Sequence, residues 1–74
     1  MQYEAMLQTL GWAAGHEVPV RIAVEGGALL VGVPTTLDTH PAALEVYLHP
    51  LGDDTTEIAI SLASIRSVEL AVST

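Results

Sequence analysis

The pattern of apolar and polar positions divides the chain into one helix followed by five short strands. Over residues 2–14 apolar side chains recur at the spacing of one helical face, and Gly15 is well placed as the residue just past the helix end. From Val18 onward the period changes to two, which is typical of strands with one buried face. The predicted helical face consists of Tyr3, Met6, Leu7, Leu10 and Ala14.

Segments rich in turn residues separate the strands. Residues 25–27 predict a tight turn because glycine adopts positive φ freely, and Gly32 predicts a sharp bend within the second strand. Pro19 cannot donate to a ladder, so it should lie at the start or the edge of the first strand. Close spacing of this kind predicts a small closed or nearly closed barrel with the helix across one end. The predicted strands occupy 18–24, 28–37, 43–49, 57–62 and the later part of 63–72.

The charge of the chain is strongly one-sided. Nine acidic residues face two cations, Arg21 and Arg66, and the formal net charge is −7. Phosphate backbones are bound mainly through Lys and Arg, so this balance opposes nucleic acids and anionic membranes at long range. Half of the residues are apolar, which predicts that a partner covers part of the surface.

The absence of cysteine excludes disulfides, thiolate metal sites and cysteine nucleophiles. The first fifteen residues contain Glu4 and lack a basic start, unlike a signal peptide, and no apolar run reaches the length of a membrane span. We therefore expect a cytoplasmic protein.

The order of the elements and the spacing of two glycines resemble the Sm-like (LSm) family. The first motif of that family has alternating apolar residues, a glycine, a second glycine five residues on and an aspartate six residues later. The matching residues here are Val20, Ile22, Val24, Gly27, Gly32 and Asp38. The apolar part of the second motif is similar to Ile60, Ile65 and Val68. The chain is identified over about residues 5–72 as a divergent, bacterial or phage-type member.

The resemblance implies a mostly β protein with a single domain over residues 1–74. The expected fold is a small SH3-like or Sm-like barrel of five bent antiparallel strands with an N-terminal α-helix. Outer strands of neighbouring subunits pair in this family, which implies a cyclic homo-oligomer of about five to seven copies.

The resemblance also implies where RNA would bind. Asp38 matches the motif aspartate, and His40 matches the position whose ring stacks on a base. Pro41 and Ala42 stand where many members have Met-Asn, and Ala42 has no side-chain group that could read a base edge. At the common Arg-Gly pair this chain has Ser61 and Leu62, so the cation that closes the pocket is missing.

Each of these residues also has a purely structural interpretation. His40 is either a stacking ring or a polar loop residue that Pro41 holds extended. Asp38 either orients His40 or accepts hydrogen bonds from backbone N–H groups two residues on, and we favour the latter. The three histidines, His16, His40 and His49, match no short metal-ligand spacing, and Ser61, Ser64 and Ser67 lack a nucleophile-elbow context.

Large apolar and aromatic side chains are the candidates for contacts between subunits. Trp12 is either at an interface or buried beneath the helix, and Tyr47 is predicted to point outward from the third strand. Arg21 and Arg66 are expected to pair with acids within a subunit or between subunits, with RNA contact by Arg66 as the alternative. The interface candidates are Trp12, Tyr47, Ile58, Ile60, Val68 and Leu70.

Two functions from different classes remain open at this point. The first is a ring-forming homo-oligomeric interaction or scaffold module with no catalytic activity and weak or absent RNA binding. The second is an RNA-binding Sm-like protein that uses Asp38, His40 and Arg66. Expected partners are other copies of the chain, with RNA or a basic protein as further possibilities, and we expect no metal and no cofactor.

Overall fold

A computed structural model describes residues 3–40, 42–53 and 55–71. Helix α1 spans Glu4–His16, and the strands are β1 (Val20–Val24), β2 (Leu29–Asp38), β3 (Glu45–Pro50), β4 (Ile58–Ser61) and β5 (Ile65–Leu70). A single 3₁₀ turn, Leu62–Ser64, joins β4 to β5. All five strands are antiparallel in one sheet of order β4-β3-β2-β1-β5. The mostly β fold with an N-terminal helix is therefore confirmed.

Helix α1 extends further than the sequence predicted. Gly15 lies inside the helix, and Glu17 ends it in the left-handed conformation at φ 54° and ψ 44°. The N–H of Val18 then donates to the Ala13 carbonyl at 3.0 Å, which satisfies one of the last helical acceptors. Leu10 and Ala13 are the fully buried helix residues, so the buried face includes Ala13 where the pattern had suggested Ala14.

The hairpin between β1 and β2 forms as predicted. Gly26 and Gly27 have φ of 90° and 91°, a region that residues with a Cβ rarely occupy. Strand β1 begins at Val20, two residues later than expected, because Pro19 has no N–H for the ladder. The carbonyl of Pro19 instead accepts the N–H of Ala71 at 2.9 Å.

Strands β2 and β3 approach each other very closely at Gly32, which lies opposite Pro50 in their ladder. This glycine is buried, and a Cβ built on it would overlap the carbonyl of His49 and lie 3.0 Å from the Cα of Pro50. Two residues later the register between the strands shifts between Pro34 and Thr36. A residue without a side chain is therefore required where the sheet bends.

One hydrophobic core lies between the helix and the face of the sheet on which it packs. Helix α1 packs against β2 and β5. Truncating a fully buried Leu or Ile in such a core costs about 2–5 kcal/mol. The buried apolar residues are Leu10, Ala13, Val20, Ile22, Val46, Leu48, Ile60, Leu62 and Ile65.

The sheet is open within the described residues, because no ladder joins β4 to β5. Strand β4 therefore has one paired neighbour, β3, and β5 has one, β1. Of the two barrel forms that the sequence allowed, the closed one is excluded for this part of the chain. Each outer strand exposes a row of backbone groups that another strand could pair with. Val72, at which the last strand was predicted to end, lies outside the described residues.

Candidate functional site

The loop after β2 is held by the side chain of Asp38. Its Oδ1 accepts the backbone N–H of His40 at 3.0 Å. This is the local bond that an aspartate makes to the N–H two residues on, and it confirms the structural interpretation of Asp38. The carboxylate thereby shapes the loop, and no hydrogen bond among the described residues joins it to the imidazole ring of His40.

His40 is bonded to its own loop through both backbone and ring. Its carbonyl accepts the N–H groups of Ala43 at 2.8 Å and Leu44 at 3.0 Å, and Leu44 has a positive φ of 44°. The Nδ1 atom accepts the N–H of Ala42 at 3.2 Å, which requires an unprotonated Nδ1. The ring is exposed, but this bond fixes its position relative to the loop.

A shallow groove runs from this loop onto the outer face of β2 and β3. Tyr47 reaches it because the ladder places Thr36 opposite Tyr47 and Asp38 opposite Glu45. Sequence reasoning had placed Tyr47 outward on β3 but did not connect it with the loop. The register between β2 and β3 would have placed Tyr47 beside the loop, but the shift between Pro34 and Thr36 prevents that register from being read off the alternation. The groove is lined by Thr36, Leu37, Asp38, Thr39, His40 and Tyr47.

The electrostatic surroundings of this groove are acidic. Glu45 raises the pKa of the Tyr47 phenol most, followed by partial burial and by the charge of Asp38, and Glu57 adds a smaller effect. The Tyr47 hydroxyl lies 3.5 Å from Glu45 Oε1. No ion pair among the described residues brings an arginine to these carboxylates. Such a groove disfavours a phosphate backbone.

Ser61 and Leu62 have structural roles at the turn after β4. Leu62 is fully buried, and its N–H donates to the Leu44 carbonyl at 2.9 Å, which ties the 3₁₀ turn to the loop. Ser61 lies opposite Glu45 in the β3–β4 ladder. Ala42 is exposed and Pro41 lies outside the described residues. Leu62 is thus an apolar anchor that holds the turn against the loop after β2.

A second groove lies between α1 and the outer strand β5. Trp12 is 48% exposed there, so burial beneath the helix does not hold for it, and Leu70 is 39% exposed. The Trp12 ring stacks on His16 with centroids 4.2 Å apart, and His16 Nδ1 lies 2.8 Å from the Trp12 carbonyl oxygen. Three predicted interface candidates meet in this groove, which is lined by Gln8, Thr9, Trp12, Val68, Glu69 and Leu70.

Two further interface candidates lie on β4. Ile58 is partly buried against the core, and Ile60 is only 5% exposed within it. The Ile60 side chain therefore packs inside the subunit, which differs from its expected place at an interface. Strand β4 can meet a partner through its backbone edge and its outward residues Ala59 and Ser61.

The two arginines differ in their surroundings. Arg21 Nη1 lies 2.8 Å from Glu69 Oε1 across the β1–β5 ladder, which confirms the expected pairing with an acid within the subunit. Arg66 is exposed and forms no ion pair with any described residue. It belongs to β5 and forms no hydrogen bond with the loop of Asp38 and His40 in the described part of the chain.

The histidines are dispersed over the fold. His16 ends α1, His40 is in the loop after β2, and His49 is on β3 with its Nδ1 2.6 Å from the Thr56 carbonyl oxygen. Within 3–40, 42–53 and 55–71, no three His, Cys, Asp or Glu side chains are grouped as metal ligands.

No protein-family model matches the chain, and comparisons with curated proteins and with solved structures found no match either. In the described ranges, every helix is too short or too polar to cross a bilayer.

Proposed function

We propose that the protein is an Sm-like, ring-forming interaction or scaffold module with no catalytic activity and weak or absent RNA binding. The observation that carries the proposal is the pair of open sheet edges, β4 and β5, at opposite ends of one bent sheet. Pairing of β4 with β5 of the next copy uses two different surfaces, and such heterologous contacts form a ring when the rotation between successive copies closes. Light scattering that finds only a 7.8 kDa species at micromolar concentration would exclude it.

The exposed apolar groove beside β5 supports assembly at this edge. Trp12 and Leu70 are exposed to an extent that a partner strand would reduce. Burying a Leu side chain fully is worth about 1.5–3 kcal/mol, so covering the exposed two-fifths of Leu70 contributes about 1 kcal/mol to each contact. A charge at Leu70 should weaken assembly without reaching the core.

The decisive comparison is between two leucine-to-glutamate variants. Leu70→Glu and Leu51→Glu each add one negative charge at an exposed leucine, but Leu51 follows β3 and belongs to neither outer strand. In light scattering at micromolar concentration, we expect the wild type and Leu51→Glu to form particles of about five to seven subunits. Leu70→Glu should shift toward the monomer. Equal masses for the two variants would show that the groove beside β5 is not the contact.

RNA binding is the second candidate, because Asp38 and His40 share one groove with Tyr47. An imidazole and a phenol are groups on which bases stack. The acidic surroundings and Ala42 argue against strong binding. An anisotropy titration with oligo-U and oligo-A at about 50 mM salt, where electrostatic contacts are strongest, separates the candidates. Saturable binding that His40→Ala abolishes would favour RNA, whereas no binding would exclude this candidate.

A further inference from the structure

The two open edges of the sheet differ in the charges that the described part of the subunit leaves unpaired: Arg66 at β5, where Glu69 is already paired with Arg21, and glutamates at β4. On the β5 edge, Arg66 is exposed beside the register shift that β1 makes between Ala23 and Val24. Among the described residues it has no ion-pair partner, whereas Arg21 is already paired with Glu69 at 2.8 Å. Arg66 is therefore the cation that the described part of the subunit leaves available to a neighbour.

The β4 edge is acidic. Glu57 immediately precedes β4, and Glu45 lies opposite Ser61 in the β3–β4 ladder. The charges of both glutamates act on the Tyr47 phenol between them and raise its pKa. Glu57 accepts a hydrogen bond from the Thr35 hydroxyl at 2.8 Å, and its Oε2 lies 4.0 Å from His49 Nε2. In the described structure no arginine forms an ion pair with either glutamate.

We propose that Arg66 on β5 of one subunit pairs with the β4-side glutamates, Glu45 and Glu57, of the next copy. This inference rests on the edge-to-edge assembly of the proposed function, and it adds the charge contact that directs it. A β4 edge meeting another β4 edge would bring four glutamates together. Two β5 edges would bring two unpaired arginines together with Glu69 carboxylates that Arg21 already neutralises. The favourable contact is therefore β4 with β5, which is the heterologous arrangement that a ring requires.

A second copy fits this surface better than an anionic ligand does. Each subunit carries a net charge of −7, which repels an anionic ligand and a second copy alike. Only the second copy brings both a cation and carboxylates to the contact. A local attraction at the contact is the way in which charged proteins fix the register of an interface. Arg66 supplies that attraction from the one edge, and the glutamates supply its complement from the other.

Charge reversal tests the pairing. We expect Arg66→Glu to raise the dissociation constant of the assembly, measured by sedimentation equilibrium, by about tenfold or more. Adding Glu57→Arg or Glu45→Arg to the same chain should restore it to within about threefold for at least one of the two combinations, because attraction returns at every contact. Circular dichroism and urea unfolding of each variant check that the subunit remains folded.

Total charge needs its own control. Arg66→Gln and Ala28→Glu both change the net charge from −7 to −8, but Ala28 is an exposed residue of the β1–β2 turn and belongs to neither outer strand. Arg66→Gln should weaken assembly clearly more than Ala28→Glu does. Equal weakening by the two would mean that only the total charge matters, and would overturn the pairing.

The results separate this inference from the proposed function. A wild type that stays monomeric overturns both. A wild type that assembles while Arg66→Glu assembles equally well overturns the pairing and leaves the assembly standing. A loss with Arg66→Glu that neither added arginine restores also overturns the pairing. A loss restored by one of them supports it.

Discussion

Replacing Gly32 with alanine tests the close approach of β2 and β3 at this residue, on which the bent sheet depends. The added Cβ would overlap the His49 carbonyl, and backbone atoms cannot move aside as the end of a flexible side chain can. Overpacking of this kind costs about 1–3 kcal/mol, and the stiffer unfolded chain offsets about 0.4–1 kcal/mol of it. We expect a net loss of about 1–2 kcal/mol.

The matched control is the same change at Gly11. A Cβ there meets nothing within 4 Å, and the residue is exposed within α1. Alanine is favoured over glycine in a helix by about 1 kcal/mol, so Gly11→Ala should stabilise the subunit. The same chemical substitution is thus expected to have opposite signs at the two positions.

Urea unfolding followed by circular dichroism measures both effects. A chain of 74 residues has a total stability of about 4–11 kcal/mol, so a loss of 1–2 kcal/mol is a large fraction of it. With a denaturant slope of about 1 kcal/mol/M, the Gly32→Ala midpoint should fall by about 1–2 M urea. Protein concentration must be equal throughout, because assembly stabilises the fold by mass action. Equal midpoints for Gly32→Ala and the wild type would refute the close approach of β2 and β3 at Gly32.

Two further predictions concern titrating groups. Hydrogen bonds from the Thr56 side chain and from Thr55 lower the pKa of Asp53. The ionised Asp53 therefore stabilises the fold at pH values above its ordinary pKa of about 4. That contribution is lost as pH falls through the lowered folded value, so Asp53→Asn should destabilise the protein at pH 7 and cease to do so in strong acid, as thermal unfolding at both pH values would reveal. Glu45→Gln should lower the pKa of Tyr47, followed by tyrosinate absorbance, and should do so more than Asp38→Asn, because Glu45 contributes the largest effect. An equal or reversed order would contradict the arrangement of charges around the phenol.

Local chemistry made most of the fold predictable from the sequence. The alternation in β1 and β3 identified the buried faces, and the glycine pair at 26–27 marked a turn that needs positive φ. Asp38 was predicted to bond to the N–H two residues on, and it does so at 3.0 Å. Each of these features depends on a few adjacent residues, which is why sequence patterns report them.

The features that the sequence did not reveal depend on contacts between distant residues. Glu17 ends the helix in a left-handed conformation that its residue type does not favour, so Gly15 was the natural but wrong choice. Tyr47 joins the groove of Asp38 through a ladder whose register shifts after Pro34. The alternation in β4 places Ile58 and Ile60 on one face, but whether that face meets the core or a neighbouring subunit depends on how β4 pairs with β3.

The central claim, assembly through the sheet edges without strong RNA binding, can be tested in one sedimentation velocity run. The wild type at micromolar concentration is mixed with fluorescently labelled oligo-U at about 50 mM salt, where phosphate contacts are strongest. We expect the protein to sediment as a particle of about five to seven subunits of 7.8 kDa and the label to sediment as free oligonucleotide. Protein that sediments only as a 7.8 kDa monomer, or label that sediments with the particle, would contradict the central claim.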